Sequence, residues 1–342
     1  MPLIRDAEMV RSIYDGLSRT SRAMPAFCTE NRRTTLAILE AARLVAEKTG
    51  KPDLPVVVAF TASYPLRPQL KLYSGTGKLK DGMACLWNDV KALVSSDSPY
   101  GKLRVMLHLD HAQPEQDRVV LDTLGEHLAS VMWDGSHHPF ERNMELTRAF
   151  VEEYGKRFLV EGAVDEIPEF GQQDKVEYTT PERAQAFLQY TGVDLIVPNV
   201  GTEHRTAATG KAEYRREIAL AVKDAVGDRL VLHGSSCLDE TGLGTLGKDG
   251  FVRLNMWTSL ERVGGLAVAK DVLDHLGEIL PANERSLYVE KGILASGQLN
   301  LADAGSVLNR ISETHRRDEV WIPAVCQHIV SFMEILDYAR AF

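Results

Sequence analysis

The sequence predicts a closed parallel (β/α)8 TIM barrel with extra C-terminal helices. Three observations carry that prediction. Short apolar runs of strand length alternate with stretches whose apolar residues recur at i, i+3 and i+4. Eight such runs can be placed, the number that closes one barrel. Three of them deliver a histidine near their C-terminal ends, the barrel face on which loops build sites. Leu103–Leu107 ends in His108-Leu109-Asp110-His111, Asp194–Val200 runs on to His204, and Arg229–Leu232 meets His233.

The elements follow in order. Strands read as Ala23–Phe27, Pro55–Phe60, Leu103–His108, Ala129–Trp133, Phe158–Glu161, Asp194–Val197, Arg229–His233 and Phe251–Asn255. The helices between them read as Arg33–Thr49, Gly82–Ser95, Gln116–Leu124, Pro139–Tyr154, Thr180–Tyr190 and Tyr214–Val226. Leu36, Ile38, Leu39, Ala42 and Val45 show the apolar stripe of the first. A doubly wound open sheet is the competing architecture. No G-x-G-x-x-G follows the first strand, which weakens its dinucleotide-binding version. Thr61–Asp81, Gly162–Tyr178 and Asp239–Asp249 read as long connections, either lids or plain surface loops. The whole chain, 1–342, reads as one barrel domain. Residues 261–342 read as a helical extension that either forms an oligomer arm or crosses the barrel bottom.

Bulk properties exclude several classes. A net charge of -9 argues against broad nucleic-acid or membrane-surface binding. No apolar run is read as approaching the roughly 20 residues that cross a bilayer. The N-terminus lacks the apolar core of a signal peptide. Four cysteines without CxxC spacing exclude a Cys-rich zinc module and fit a reduced, cytoplasmic protein.

His111, His204 and His233 are the candidate metal ligands, because three neutral imidazoles leave a position open for substrate. Zn²⁺ suits them best, and Co²⁺, Fe²⁺ or Mn²⁺ also fit. Asp110 is placed to move a proton at a metal-held group, to orient a ligand, or only to cap the strand. Asp134 and Glu161, also at strand ends, are further cation or orienting candidates. His108 is expected to support the site from the barrel interior, while His137 and His138 read as loop and helix-start residues. Gly234-Ser235-Ser236 can surround an anion with backbone N–H groups and hydroxyls, and Asn255 can bond a substrate oxygen.

Taken together, these residues resemble the class II, metal-dependent fructose-bisphosphate aldolase family. The matching pieces run in family order. They include Pro25-Ala26-Phe27, His108-Leu-Asp-His111, Ser130–His137, Val160-Glu-Gly162, Gly201-Thr-Glu-His204, Leu232–Ser236, and Asn255 with Thr258. The resemblance implies Zn²⁺ on His111, His204 and His233, with Asp110 as acid/base at the broken C–C bond. It implies retro-aldol cleavage of a ketose through a zinc-stabilised enediolate. It also implies a second proton donor on the loop after strand five, where Glu166 and Glu169 are the candidates and Asp165 is third.

Departures from the family surround the anion pocket. The family's Glu-x-Glu after strand five reads Glu161-Gly162-Ala163 here. The Gly after the second zinc His, whose backbone meets phosphate and a monovalent cation, is Arg205. The acidic Asn-x-Asp-Thr-Asp reads Asn255-Met256-Trp257-Thr258-Ser259. Arg205 can pair bidentately with phosphate, carboxylate or sulfonate. The expected substrate is therefore a sugar phosphate or sugar acid other than fructose 1,6-bisphosphate. The expected assembly is a homodimer or homotetramer. A catalytically inactive metal-binding barrel serving as a regulatory or assembly subunit is the alternative.

Overall fold

The computed structural model describes residues 3–65, 67–113, 116–168, 177–203, 213–235, 238–301 and 314–342. Eight parallel strands close into a barrel in chain order. They are β1 (Met24–Cys28), β2 (Pro55–Thr61), β3 (Arg104–Ala112), β4 (Leu128–Trp133), β5 (Leu159–Ala163), β6 (Leu195–Val197), β7 (Leu230–Leu232) and β8 (Phe251–Met256). The β8–β1 pairing, Met24 against Arg253 through Phe27 against Met256, completes the ring. Apart from Arg104 every strand residue is buried, as expected of parallel strands covered by helices on the outside and side chains within. β6 and β7 are shorter than the sequence reading, and His233 follows β7 instead of ending it.

The helices are α1 (Ala7–Thr20), α2 (Arg32–Thr49), α3 (Gln69–Tyr73), α4 (Leu79–Leu93), α5 (Arg118–Leu124), α6 (Phe140–Tyr154) and α7 (Pro181–Thr191). Then come α8 (Arg216–Val226), α9 (Glu240–Thr245), α10 (Thr258–Asp274), α11 (Leu276–Ile279), α12 (Ala282–Glu290) and α13 (Thr314–Leu336). The sequence reading missed α1, although its signals are present. Asp6 caps it by accepting from Met9 N–H at 2.8 Å, and Val10, Ile13, Tyr14 and Leu17 bury one face. It packs against β4, β5 and β8. Two expected loops are also partly helical. The connection after β2 holds α3 and the first turn of α4, and 239–249 holds α9, capped by Asp239 accepting from Gly242 N–H at 2.8 Å.

The C-terminal segment corrects one expectation. Residues Arg317–Leu336 are long and apolar enough to cross a membrane by length and composition, contrary to the reading that no such run exists. In the fold that helix, α13, packs against α2 and α10 on the barrel wall, and buries Val325, Cys326, Ile329, Met333 and Leu336. That helix thus lies on the wall, and the last residues approach the start of the strands, where Tyr338 Oη donates to the Pro55 carbonyl at 3.0 Å.

The barrel interior is polar at mid-height. Arg253 on β8 pairs with Glu161 on β5, and its Nη2 lies 3.2 Å from His108 Nε2 on β3. These strands are not neighbours, so the contacts run across the lumen. Arg253 Nη1 also donates to Tyr14 Oη at 3.2 Å, which ties α1 to the interior. His108 Nδ1 meets Ser130 Oγ at 2.8 Å. Burial, with the Arg253 charge, pushes His108 down to about 4, so it is neutral at pH 7. A buried ion pair gives little net stability but is costly to break. Arg253→Met should therefore destabilise the chelator-treated protein by about 3–5 kcal/mol in denaturant titration. The double variant with Glu161→Gln should recover part of that loss. Additive effects would show that the two charges do not support each other.

Candidate metal centre

The site starts from an irregularity in β3. Side chains alternate along a strand, so His108 and Asp110 share one face and His111 belongs with Leu109 on the other. The backbone breaks that rule. His111 has φ 48, in the left-handed region that non-glycine residues rarely adopt. The β3–β4 register shifts between Leu109 and Ala112 at the same point. The result is that consecutive residues reach one place. Ligand atoms of Asp110, His111 and His233 lie within 4.8 Å of one another, and all three residues are buried. The His111 and His233 rings stand edge-on with centroids 5.0 Å apart.

Each group is held from behind. His111 Nδ1 lies 2.6 Å from Asp134 Oδ2, and Asp134 Oδ1 accepts from Ser136 Oγ at 2.7 Å. Tyr64 stacks on the other side of the imidazole, with centroids 4.5 Å apart. Asp110 Oδ1 accepts from Asn255 Nδ2 at 2.9 Å, and its Oδ2 faces Arg67 Nη2 at 3.5 Å. His233 Nε2 is 3.2 Å from Glu161 Oε1. Gly234 turns the chain after His233 with φ +68. A Cβ there would meet the Glu203 backbone at 2.6 Å, so only glycine fits. Thr202 Oγ1 donates to the His233 carbonyl at 2.7 Å and ties the β6 and β7 ends together.

The electrostatics follow from burial and from these partners. Burial works to raise Asp110, but the neighbouring His111, the one imidazole here that moves up, outweighs it and holds it well below the ordinary range. Burial also opposes ionisation of Asp134, and its hydrogen bond to His111 again prevails, so it too is lowered. Burial pushes His233 down to about 3, which keeps it a neutral imidazole. For His111 burial is outweighed by Asp110 and Asp134, and it moves up. A buried set of imidazoles with an ionised carboxylate fits a divalent transition metal. An acid behind a ligand histidine is the usual orienting arrangement.

The sequence candidates divide by where the structure places them. His111, His233, Asp110, Asp134, Glu161 and Asn255 come together. Gly234, Ser235 and Thr258 line a cavity of about 20 Å³ beside Asp110 and His233. His204, Arg205, Glu169 and Ser236 lie outside the described residues. Glu166 is exposed at the rim of a second cavity, of about 280 Å³, which His111, Asp134 and Ala163 also line. Asp165 is buried and engaged by Arg183 and by Thr179 Oγ1 at 2.7 Å, a structural tie. Sequence reasoning missed Arg67 and Tyr64. Both lie in the connection after β2, and no spacing pattern distinguishes them from surface residues.

Comparison with known proteins agrees with this geometry. The family described as class-II fructose-bisphosphate aldolase matches residues 8–296. The chain is 29% identical over 282 residues to the D-tagatose-1,6-bisphosphate aldolase subunit GatY of Klebsiella oxytoca, covering 80% of this chain and 87% of that protein. Among solved structures it is similar in fold to the fructose-bisphosphate aldolase of Campylobacter jejuni. There the TM-score is 0.71 at 18% identity, over 98% of this chain and 95% of that one. It also resembles the YdjI aldolase of Escherichia coli K12, with a TM-score of 0.64 at 18% identity over 96% of each chain. With a barrel of this topology, a buried His/Asp cluster at its mouth and a family match along most of its length, the chain belongs to the class II fructose-bisphosphate aldolase family.

Proposed function

We propose that this protein is a metal-dependent carbon–carbon lyase. It cleaves a ketose phosphate or related sugar acid by a reversible retro-aldol reaction, with a substrate preference other than fructose 1,6-bisphosphate. The observation that carries the reading is the buried convergence of Asp110, His111 and His233. His111 and His233, with His204, would hold Zn²⁺ or a similar divalent ion. Such an ion, when bound, supplies a Lewis acid for negative charge on substrate oxygens.

The protein's own groups do the rest. Asp110 is ionised and buried; Asn255 holds its Oδ1 at 2.9 Å, while Oδ2 has the longer contacts, from Cys28 Sγ and Arg67 Nη2 at 3.5 Å each, so Oδ2 is the oxygen that takes the proton from the substrate hydroxyl next to the breaking bond. Asp134 fixes the His111 ring through Nδ1 and so leaves Nε2 as the nitrogen that would hold the ion. Glu161 is neutralised by Arg253 and orients His233. Glu166 or Glu169 returns a proton to the cleaved fragment, and Glu166 sits at the rim of the larger cavity. Arg205, Gly234, Ser235, Ser236 and Thr258 bind the substrate anion, and a monovalent cation accompanies it. The protein works in the cytoplasm as a homodimer or homotetramer. Cys28, Cys85 and Cys326 are free thiols, in keeping with a reducing compartment. Exposed Leu266, Leu273, Leu287 and Ile293 on and near α10 and α12 support self-association.

Asp110→Ala should keep its metal by elemental analysis and lose about 10²–10⁴-fold in kcat for retro-aldol cleavage. His233→Ala should lose both metal and turnover. Unchanged turnover in Asp110→Ala would reject the role given to that carboxylate. Chelation should abolish cleavage across a panel of phosphorylated and acidic ketoses, and added Zn²⁺ should restore it. A metal-loaded protein inert to the whole panel would point to the non-catalytic alternative. Ordinary efficiency on fructose 1,6-bisphosphate would overturn the altered preference.

A further inference from the structure

Arg67 is the one guanidinium that reaches the small cavity at the β7–β8 side of the site among the described residues. Its backbone is pinned at the end of β2. Arg67 N–H donates to the Tyr64 carbonyl at 3.1 Å, and the Arg67 carbonyl accepts from Thr61 Oγ1 and from Gln69 N–H. The side chain is 12% exposed. It lies over the face of Trp257, with Cζ 4.9 Å from the ring centroid. Its polar contacts are sparse. Nη2 makes one long contact to Asp110, at 3.5 Å, and Nε is buried and meets no acceptor among the described residues. Glu30 is close enough for Arg67 to pull its carboxyl down, although burial leaves it raised overall, and the two form no ion pair among the described residues.

A buried, half-satisfied guanidinium is costly, and one held by an aromatic face keeps its N–H edges free to donate. Trp257 makes this arrangement. An acid at that position would lock Arg67 in an ion pair, whereas the indole holds it by its ring face. The cavity it closes is floored by Gly234, Ser235 and Asn255, whose buried Oδ1 also meets no donor among the described residues. The first turn of α10, Thr258 and Ser259, borders it, and a helix N-terminus favours negative charge.

We propose that Arg67, stacked on Trp257, is a specificity residue that binds the oxyanion of the substrate, a phosphate or carboxylate, and exchanges its long contact to Asp110 for that anion. This rests on the reading of the site as one for an anionic ketose, but its test needs no turnover. Inorganic phosphate is titrated calorimetrically into the full-length, metal-loaded protein and into the same protein after chelation. Arg67→Met should weaken phosphate at least about tenfold in both forms, and Arg67→Lys should weaken it less. Trp257→Asp, which gives the guanidinium an acid partner, should weaken phosphate about as much as Arg67→Met, while Trp257→Phe should be close to wild type. Arg67→Lys and Trp257→Phe decide the matter if Arg67→Met does not fold. Phosphate affinity unaffected by these changes, or lost on chelation alone, overturns the proposal. Arg67-dependent phosphate binding in a protein that cleaves no ketose would keep the clamp and remove the aldolase reading.

Discussion

Strand alternation is the constraint on which the site depends. In a barrel strand every second side chain faces the lumen, so a run reading His-Leu-Asp-His can send only one of its last two residues inward. The left-handed backbone at His111 lifts that limit. Conformations of this kind cost of order 1–3 kcal/mol and persist where surrounding contacts enforce them. Here the enforcement is visible: Asp134 holds the imidazole by Nδ1 and Tyr64 packs on its face. Local strain is exchanged for two chemically distinct groups, an imidazole and a carboxylate, delivered to one point by adjacent residues.

Below that point the barrel is filled by a balanced charge network. Glu161 faces Arg253, Asp110 faces Asn255 and Arg67, and Asp134 faces His111. Each carboxylate has its own partner, which is what buried ions require. The same partners prepare the site. His233 and His108 are neutral because burial disfavours their charge, and Asp110 stays ionised because His111 beside it outweighs burial. A neutral imidazole and an ionised carboxylate therefore coexist within a few ångströms, and neither depends on bulk solvent for its state.

The two sides of the candidate site differ in kind. Toward β7 and β8 the space is small and polar, with one guanidinium over an indole. Toward β4 and β5 it is larger, and Ala163 helps line it. The asymmetry suits a substrate with its anion at the narrow end and a bulkier group at the other.

The sequence by itself determined the fold class, the strand order and most of the site's membership. Those depend on local periodicity and on which residue types end which runs. His111, His233, Asp110 and Asn255 were legible because each closes or follows an apolar run. The tertiary structure decided the rest, because the remaining facts depend on contacts between distant segments. That Glu161 meets Arg253 across the lumen, that α13 lies on the wall against α2 and α10, and that Arg67 reaches Trp257 are results of barrel closure. No spacing in the chain records them. The turn at His111 is intermediate: the residues are visible in the sequence, but only packing from β4 and the β2 connection shows that the backbone must break its alternation there.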